Sequence, residues 1–149
     1  MKYHIAQANF AKMKAPIDDP LMADFVAQLD KINTAAEQSE GFVWRLKDDT
    51  GAATDIRIFG DETLLLNMSV WESIDALYQY TYYSAHVKPF RNREKWFEKL
   101  ERPALVLWWI PTGHIPTVAE VEERFQTLST LGPTQDAFTF KKRFPCPES

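Results

Sequence analysis

The chain is poor in the residues that cross-link small secreted domains or bind metals: its 149 residues include one cysteine and three histidines. Cys146 therefore has no disulfide partner within the chain, and no zinc-ligand spacing surrounds it. No glycine-rich phosphate loop and no HExxH, GxSxG or CxxC motif occurs, so the protein classes that these motifs identify are excluded. The sequence predicts neither a disulfide framework nor a metal site.

Long apolar runs and a surplus of positive charge are missing as well. No apolar stretch approaches the roughly 18 residues of a membrane span, and the N-terminus lacks a signal-peptide pattern. The net charge is -4, and lysine and arginine are interspersed with acidic residues instead of forming the basic face that nucleic acids require. We therefore expect a cytoplasmic protein with no membrane and no nucleic acid among its partners.

The aliphatic and aromatic content suits one globular domain over residues 1–149, because 45% of the residues are hydrophobic and 13% are aromatic. Apolar periodicity predicts four main strands and three helices. The strands are residues 3–9, 42–46, 63–71 and 104–110; the helices begin near Pro20, Ser73 and Thr117, and the second is interrupted at Pro89 and resumes to Leu100. This order predicts an α+β fold, a ferredoxin-like split βαβ with an antiparallel sheet and an extra C-terminal helix, the latter in an extension of about residues 117–149.

Trp108 and Trp109 stand side by side in the last main strand. Neighbouring strand side chains point to opposite sheet faces, so the two rings cannot share one core. A ferredoxin-like fold covers one sheet face with its two main helices and leaves the other face bare. A bare face carrying a tryptophan would be an apolar patch too large for a stable monomer, so we expect a homodimer through this face.

The third strand alternates in an unusual way. Its even positions are apolar, whereas its odd positions include Asn67, Ser69 and Trp71. Polar groups on an otherwise apolar sheet face are typical of a small-molecule pocket between sheet and helices, and Gln7 or Asn9 of the first strand is placed to join them. A structural interpretation stays open beside this one: Asn67 bonds the backbone at a bulge, and Ser69 satisfies close packing.

Among the three histidines, His86 has the most informative neighbours. If its segment is helical, one stripe recurs at spacings of four, three and four: His86, Phe90, Arg93 and Phe97. Polar groups in an apolar stripe cost free energy unless they are paired, and functional sites accept that cost more often than plain cores do. The alternative is structural, with Arg93 paired to a nearby carboxylate and His86 bonded to a carbonyl.

Several blocks of the sequence resemble a known family. NMSVWES (67–73), LWWIPTGHIPT (107–117) and GPTQDAFTF (132–140) look like domain of unknown function 3291, a bacterial and fungal family. The resemblance implies the dimeric α+β barrel superfamily, in which two ferredoxin-like sheets pack face to face. That superfamily includes antibiotic-biosynthesis monooxygenases, haem-degrading oxygenases and spheroidene monooxygenase. The resemblance therefore implies a fold but leaves the reaction open.

One chemistry implied by the resemblance uses haem. In haem-degrading members of the superfamily, a histidine on the second helix ligates iron. Here His86 would be that ligand, and Arg91 or Arg93 would pair with a propionate. Asn9 and Trp71 would line the distal side.

A second implied chemistry needs no cofactor. By likeness to the antibiotic-biosynthesis monooxygenases, Asn67, Trp71, His86 and Arg93 would bind and polarise a small phenolic or enolic substrate, whose own electrons activate dioxygen. Likeness to spheroidene monooxygenase, which is haem-dependent, supports the haem chemistry instead, and the resemblance leaves a small aromatic compound or a polyene as the substrate class. A third hypothesis is a non-catalytic dimeric binding or interaction protein. The sequence thus predicts a small-molecule ligand, and it leaves open whether the protein is an oxidoreductase.

Overall fold

The computed structural model of the chain describes residues 3–47, 58–61, 63–83, 96–98 and 104–147. The strands are β1 (Tyr3–Met13), β2 (Phe42–Arg45), β3 (Leu64–Trp71), β4 (Phe97–Glu98) and β5 (Leu105–Pro111). The helices are α1 (Ala23–Glu37), which a short 3-10 turn at Pro20–Met22 precedes, α2 (Ile74–Tyr83) and α3 (Val118–Leu131). Within these ranges, no helix combines the length and the apolar character that crossing a membrane requires.

The five strands form one antiparallel sheet with β1 at its centre. Strand β3 pairs with one edge of β1, and β5 and the short β4 pair with the other edge. Strand β2 extends the sheet beyond β3. The predicted α+β class, with a ferredoxin-like antiparallel sheet and an added C-terminal helix, is confirmed.

Polar caps set the starts of the helices. The Ser73 hydroxyl accepts a hydrogen bond from the Ala76 N–H at the start of α2, and the Thr117 hydroxyl accepts one from the Glu120 N–H at the start of α3. Each cap satisfies a backbone donor that has no partner inside its own helix. Helix α3 ends at Gly132, whose positive φ of 73° is a conformation that glycine adopts without strain. The predicted starts at Ser73 and Thr117 are therefore confirmed.

Helix α3 covers the sheet face formed by the even-numbered positions of β3. Val121, Phe125 and Leu128 of this helix pack in one buried cluster with the sheet residues of that face. The rings of Phe10 and Phe125 meet edge to face, with centroids 4.8 Å apart. The prediction of a bare sheet face is therefore wrong, because the amphipathic C-terminal helix of the same chain buries its apolar stripe there.

The odd-numbered face of the sheet is covered by α1, α2 and the C-terminal tail. Trp108 points to the even face and is fully buried, whereas Trp109 points to the odd face and is half-buried. The Trp109 Nε1–H donates to the backbone oxygen of Phe144 at 3.0 Å, and Phe138 forms a bridge with Leu107. Residues of the same chain therefore pack over both tryptophans. The homodimer stays a prediction.

One predicted helix is wrong in part. The expected continuation to Leu100 would make Phe97 helical, but Phe97 lies in β4 opposite Met13 of β1. Its ring also meets that of Phe25 edge to face at 4.9 Å, so burial against α1 and β1 outweighs the helical periodicity. The stripe proposed from His86 to Phe97 therefore does not reach its last member as one helix.

Candidate functional site

Four polar side chains form a continuous row on the odd face of the sheet. We call Gln7, Asn9, Asn67 and Ser69 the polar row. Strand pairing brings them together, because Gln7 lies opposite Ser69 and Asn9 lies opposite Asn67 in the register of β1 and β3. Side chains at directly opposite positions of two antiparallel strands share one face and touch.

Hydrogen bonds connect every member of the polar row. Gln7 Nε2 donates to Asn67 Oδ1 at 2.9 Å and to Ser69 Oγ at 2.8 Å. Asn9 Nδ2 donates to Gln7 Oε1 at 3.0 Å and approaches Asn67 Oδ1 at 3.4 Å. At the inner end, Trp71 Nε1 donates to Ser69 Oγ at 2.8 Å. Gln7 is therefore the central link between the two asparagines and the Ser69–Trp71 pair.

Exposure changes along the polar row. Asn67 is exposed and Asn9 half-buried, whereas Gln7 and Ser69 retain only 5% and 6% exposure and Trp71 none. A buried polar group costs about 1–3 kcal/mol if it is left without a partner, and the contacts above provide partners for Gln7 and Ser69. The polar row therefore extends from the surface into the core, and its internal hydrogen bonds offset the free-energy cost of burying Gln7 and Ser69.

Two apolar clusters lie on the same sheet face, one at each end of the polar row. On one side lie Ile5, Trp71 and Leu107 with residues of α1, α2 and the tail. On the other side lie Met13 and Leu65 with Phe25 and other residues near the start of α1. A few hydrogen-bonding groups between apolar and aromatic walls are the usual composition of a small-molecule site.

Tyr80 of α2 closes the inner end of the site. Its ring stacks on Trp71 with centroids 5.0 Å apart, and its hydroxyl donates to the Ile32 backbone oxygen at 3.2 Å. Burial raises the pKa of Tyr80 to about 12, and the nearby Arg45 guanidinium offsets part of that rise. The Tyr80 phenol is therefore neutral at physiological pH.

Arg45 is a site residue that sequence reasoning missed. A β-bulge between Phe42 and Trp44 shifts the register of β2, so that Arg45 lies opposite Ser69. Its Nε atom is 3.2 Å from a carboxylate oxygen of Glu37 on α1, and its side chain is only 11% exposed. Simple alternation along FVWR could not place this guanidinium, because a bulge reverses the face of the residues that follow it.

The structure brings together three of the predicted site residues. Asn9, Asn67 and Trp71 all belong to or adjoin the polar row, and Gln7 joins them as expected. Asn67 bonds side chains here, not the backbone at a bulge as in the structural alternative. No set of three His, Cys, Asp or Glu side chains suited to a metal ion occurs in the part of the chain that the structure describes.

The remaining predicted site residues, His86, Arg91 and Arg93, lie outside the described residues. Haem ligation by His86, propionate pairing by either arginine and their roles in a cofactor-free site therefore stay predictions. The described part of the site provides amide, hydroxyl and aromatic groups. Such groups can orient a ligand and polarise its oxygen atoms.

A second polar cluster lies at the start of α3, below the even face of the sheet. The Glu120 carboxylate accepts from the buried Trp108 Nε1–H at 2.8 Å and lies 2.7 Å from His114 Nε2. Thr117 and Glu120 have the sequence spacing of a capping box, but only one of its two hydrogen bonds is present: the Glu120 N–H donates to the Thr117 hydroxyl, whereas the Glu120 side chain contacts Trp108 and His114. This cluster therefore anchors α3 to the last strand.

Comparison with known proteins gives a family and two similar structures. No curated protein matches the chain. The crystal structure of PA3566 from Pseudomonas aeruginosa is similar over 78% of this chain and 98% of that chain, with 11% identity and a TM-score of 0.48. NE2512 from Nitrosomonas europaea, a protein of unknown function, is similar over 78% and 95% of the respective chains, with 10% identity and a TM-score of 0.46. Over residues 4–149, the chain matches the family described as domain of unknown function (DUF3291), and it belongs to that family.

Proposed function

We propose that the protein binds a small molecule against the polar row, on the sheet face that α1 and α2 cover. One observation carries this proposal: a continuous hydrogen-bonded path joins exposed Asn67 to fully buried Trp71 through Gln7 and Ser69. A purely structural sheet face gains more from apolar side chains, which pack without a hydrogen-bonding requirement. Polar groups kept between two apolar clusters suit the orientation of a mostly apolar ligand.

Binding can be followed at Trp71, because its indole N–H donates into the inner end of the row. The NMR signal of this indole N–H, assigned with Trp71→Phe, is recorded during titration with phenol and with benzamide. We expect the signal to shift in the wild type, and to shift only at clearly higher probe concentrations in Asn67→Leu, which removes the exposed end of the row. Gln126→Leu, on the exposed side of α3, is the matched control and should respond like the wild type.

The proposal fails if Asn67→Leu binds both probes as well as the wild type does. It also fails if the probes perturb other signals and leave that of Trp71 unchanged. In either case the polar row would be a structural element of the sheet.

The oxygenase chemistry implied by the family resemblance is a finer part of this proposal. The polar row offers neutral hydrogen-bonding groups, and the Tyr80 phenol beside it stays protonated at neutral pH. Such surroundings suit a phenolic substrate whose own electrons reduce dioxygen. With naphthohydroquinone as the probe, one oxygen atom of dioxygen would enter a ring carbon to give hydroxynaphthoquinone, and the other would leave as water.

Oxygen uptake with naphthohydroquinone tests this finer step. We expect the wild type to consume oxygen faster than buffer alone and to form hydroxynaphthoquinone, and Asn67→Leu to lose most of that rate. Uptake no faster than in buffer would reject the oxygenase while leaving ligand binding intact. The non-catalytic binding protein would then be the better interpretation.

A further inference from the structure

The polar row ends at the surface in two neighbouring amides, Asn9 and Asn67. Each amide uses one polar atom inside the row, since Asn9 Nδ2 donates to Gln7 and Asn67 Oδ1 accepts from Gln7. Among the residues that the structure describes, Asn9 Oδ1 and Asn67 Nδ2 have no hydrogen-bond partner. The surface end of the row therefore presents one acceptor and one donor on adjacent side chains.

This pairing does not depend on the direction in which the row runs. The same heavy-atom distances allow Ser69 and Asn67 to donate to Gln7 while Gln7 donates to Asn9. The Trp71 N–H donates to Ser69 in both directions, because an indole nitrogen is only a donor. Reversal merely exchanges the two free atoms, so the exposed pair is one donor and one acceptor in either direction.

Building on the proposed function, we infer that this exposed pair selects a neutral ligand group in which a donor and an acceptor lie side by side. A primary carboxamide has this pattern, and so has a hydroxyl beside a carbonyl. A carboxylate presents two acceptors, so one amide must turn over and break a hydrogen bond within the row. Arg45 does not compensate, because its guanidinium lies against the Glu37 carboxylate at 3.2 Å.

Three probes that share a benzene ring separate these cases: benzamide, methyl benzoate and benzoate. Benzamide offers a donor and an acceptor, the ester offers acceptors only, and benzoate adds a negative charge to two acceptors. We expect benzamide to bind at least about tenfold more tightly than the other two, which corresponds to the loss of one hydrogen bond. In Asn67→Leu this preference should disappear, whereas Gln126→Leu should retain it.

Titrations monitored at the Trp71 indole signal distinguish the two possible failures. Equal affinity for the three probes, or tightest binding of benzoate, overturns the inference and leaves the proposed binding site standing. If neither phenol nor any of the three probes moves the Trp71 signal, the proposed function fails together with the inference, whereas a response to phenol alone overturns only the inference. A tenfold preference for benzamide that survives in Asn67→Leu also overturns the inference, because the selectivity then arises elsewhere.

Discussion

Replacing Gln7 with methionine tests whether the polar row contributes to stability as one connected unit. Gln7 donates two hydrogen bonds, to Asn67 and Ser69, and accepts one from Asn9. Methionine has a similar length and shape and fills the buried position, but it makes none of these bonds. Gln7→Met therefore removes the central link without opening a large cavity.

The expected loss follows from the surroundings of the three partners. Each hydrogen bond contributes about 1 kcal/mol net, but the exposed Asn67 and the half-buried Asn9 can turn toward water. Ser69 is buried but keeps its bond from Trp71. The buried methionine regains part of the loss through its apolar surface. We therefore expect Gln7→Met to lower the free energy of unfolding by about 1–2 kcal/mol and the Tm by roughly 3–8 °C.

Urea unfolding followed by circular dichroism measures the change, with Gln79→Met on the exposed side of α2 as the matched control. The control should lie within about 0.5 kcal/mol of the wild type. A double-mutant cycle with Trp71→Phe adds a sharper test, because Ser69 links the two residues and a coupling of at least about 0.5 kcal/mol is expected. Unchanged stability of Gln7→Met, or strict additivity with Trp71→Phe, would refute a connected stabilising row.

Three further predictions concern other parts of the molecule. Burial raises the pKa of Tyr80 from 10.0 to about 12. As the pH rises, the unfolded chain therefore loses the phenol proton before the folded chain does. The contribution of Tyr80 to the free energy of unfolding is complete below about pH 10 and is lost between about pH 10 and 12. In urea unfolding, the free energy of unfolding of Tyr80→Phe should lack this decrease of roughly 2–3 kcal/mol. If the wild type and Tyr80→Phe gave parallel pH profiles, this prediction would be contradicted. Glu120→Ala should lower the free energy of unfolding by about 1–3 kcal/mol, because it leaves the buried Trp108 N–H without its acceptor. Glu120→Gln and the exposed control Glu123→Ala should cost less in the same assay. Equal stability of Glu120→Ala and Glu123→Ala would count against the anchoring role. The haem hypothesis predicts a sharp Soret band with stoichiometric hemin and its loss in His86→Ala, and the absence of any band in the wild type would reject iron ligation.

The alternation of the third strand carried most of the information about the site. Because side chains alternate between faces, the odd positions Asn67, Ser69 and Trp71 had to share one side of β3. Their partners on β1 followed from the polar residues at positions 7 and 9 of a neighbouring strand. The local capping signals were equally informative, since α2 and α3 begin directly after Ser73 and Thr117 as expected.

Sequence periodicity could not show which surface each apolar stripe covers. The stripe of α3 predicts one buried face, but nothing local shows that this face packs on the sheet side left open by α1 and α2. The same limit applies to Phe97, whose place in β4 depends on contacts with distant Met13 and Phe25. Arg45 required the position of a bulge, which depends on pairing between two strands. These are tertiary effects that override local patterns.

Because the chain itself packs over Trp108 and Trp109, substitutions at these two residues are poor tests for a homodimer. Trp108 is fully buried beneath α3, so replacing it with aspartate would bury a charge in the chain's own core and report on folding instead of assembly. Trp109 is held by the tail through Phe144, so its replacement would release the tail first. A dimer of this folded chain would have to use outer surfaces, and the exposed apolar side chains of Tyr83 on α2 and Leu131 on α3 are better positions for a charged substitution. Because neither side chain is part of the buried core, a change in oligomeric state there would be separable from a loss of folding.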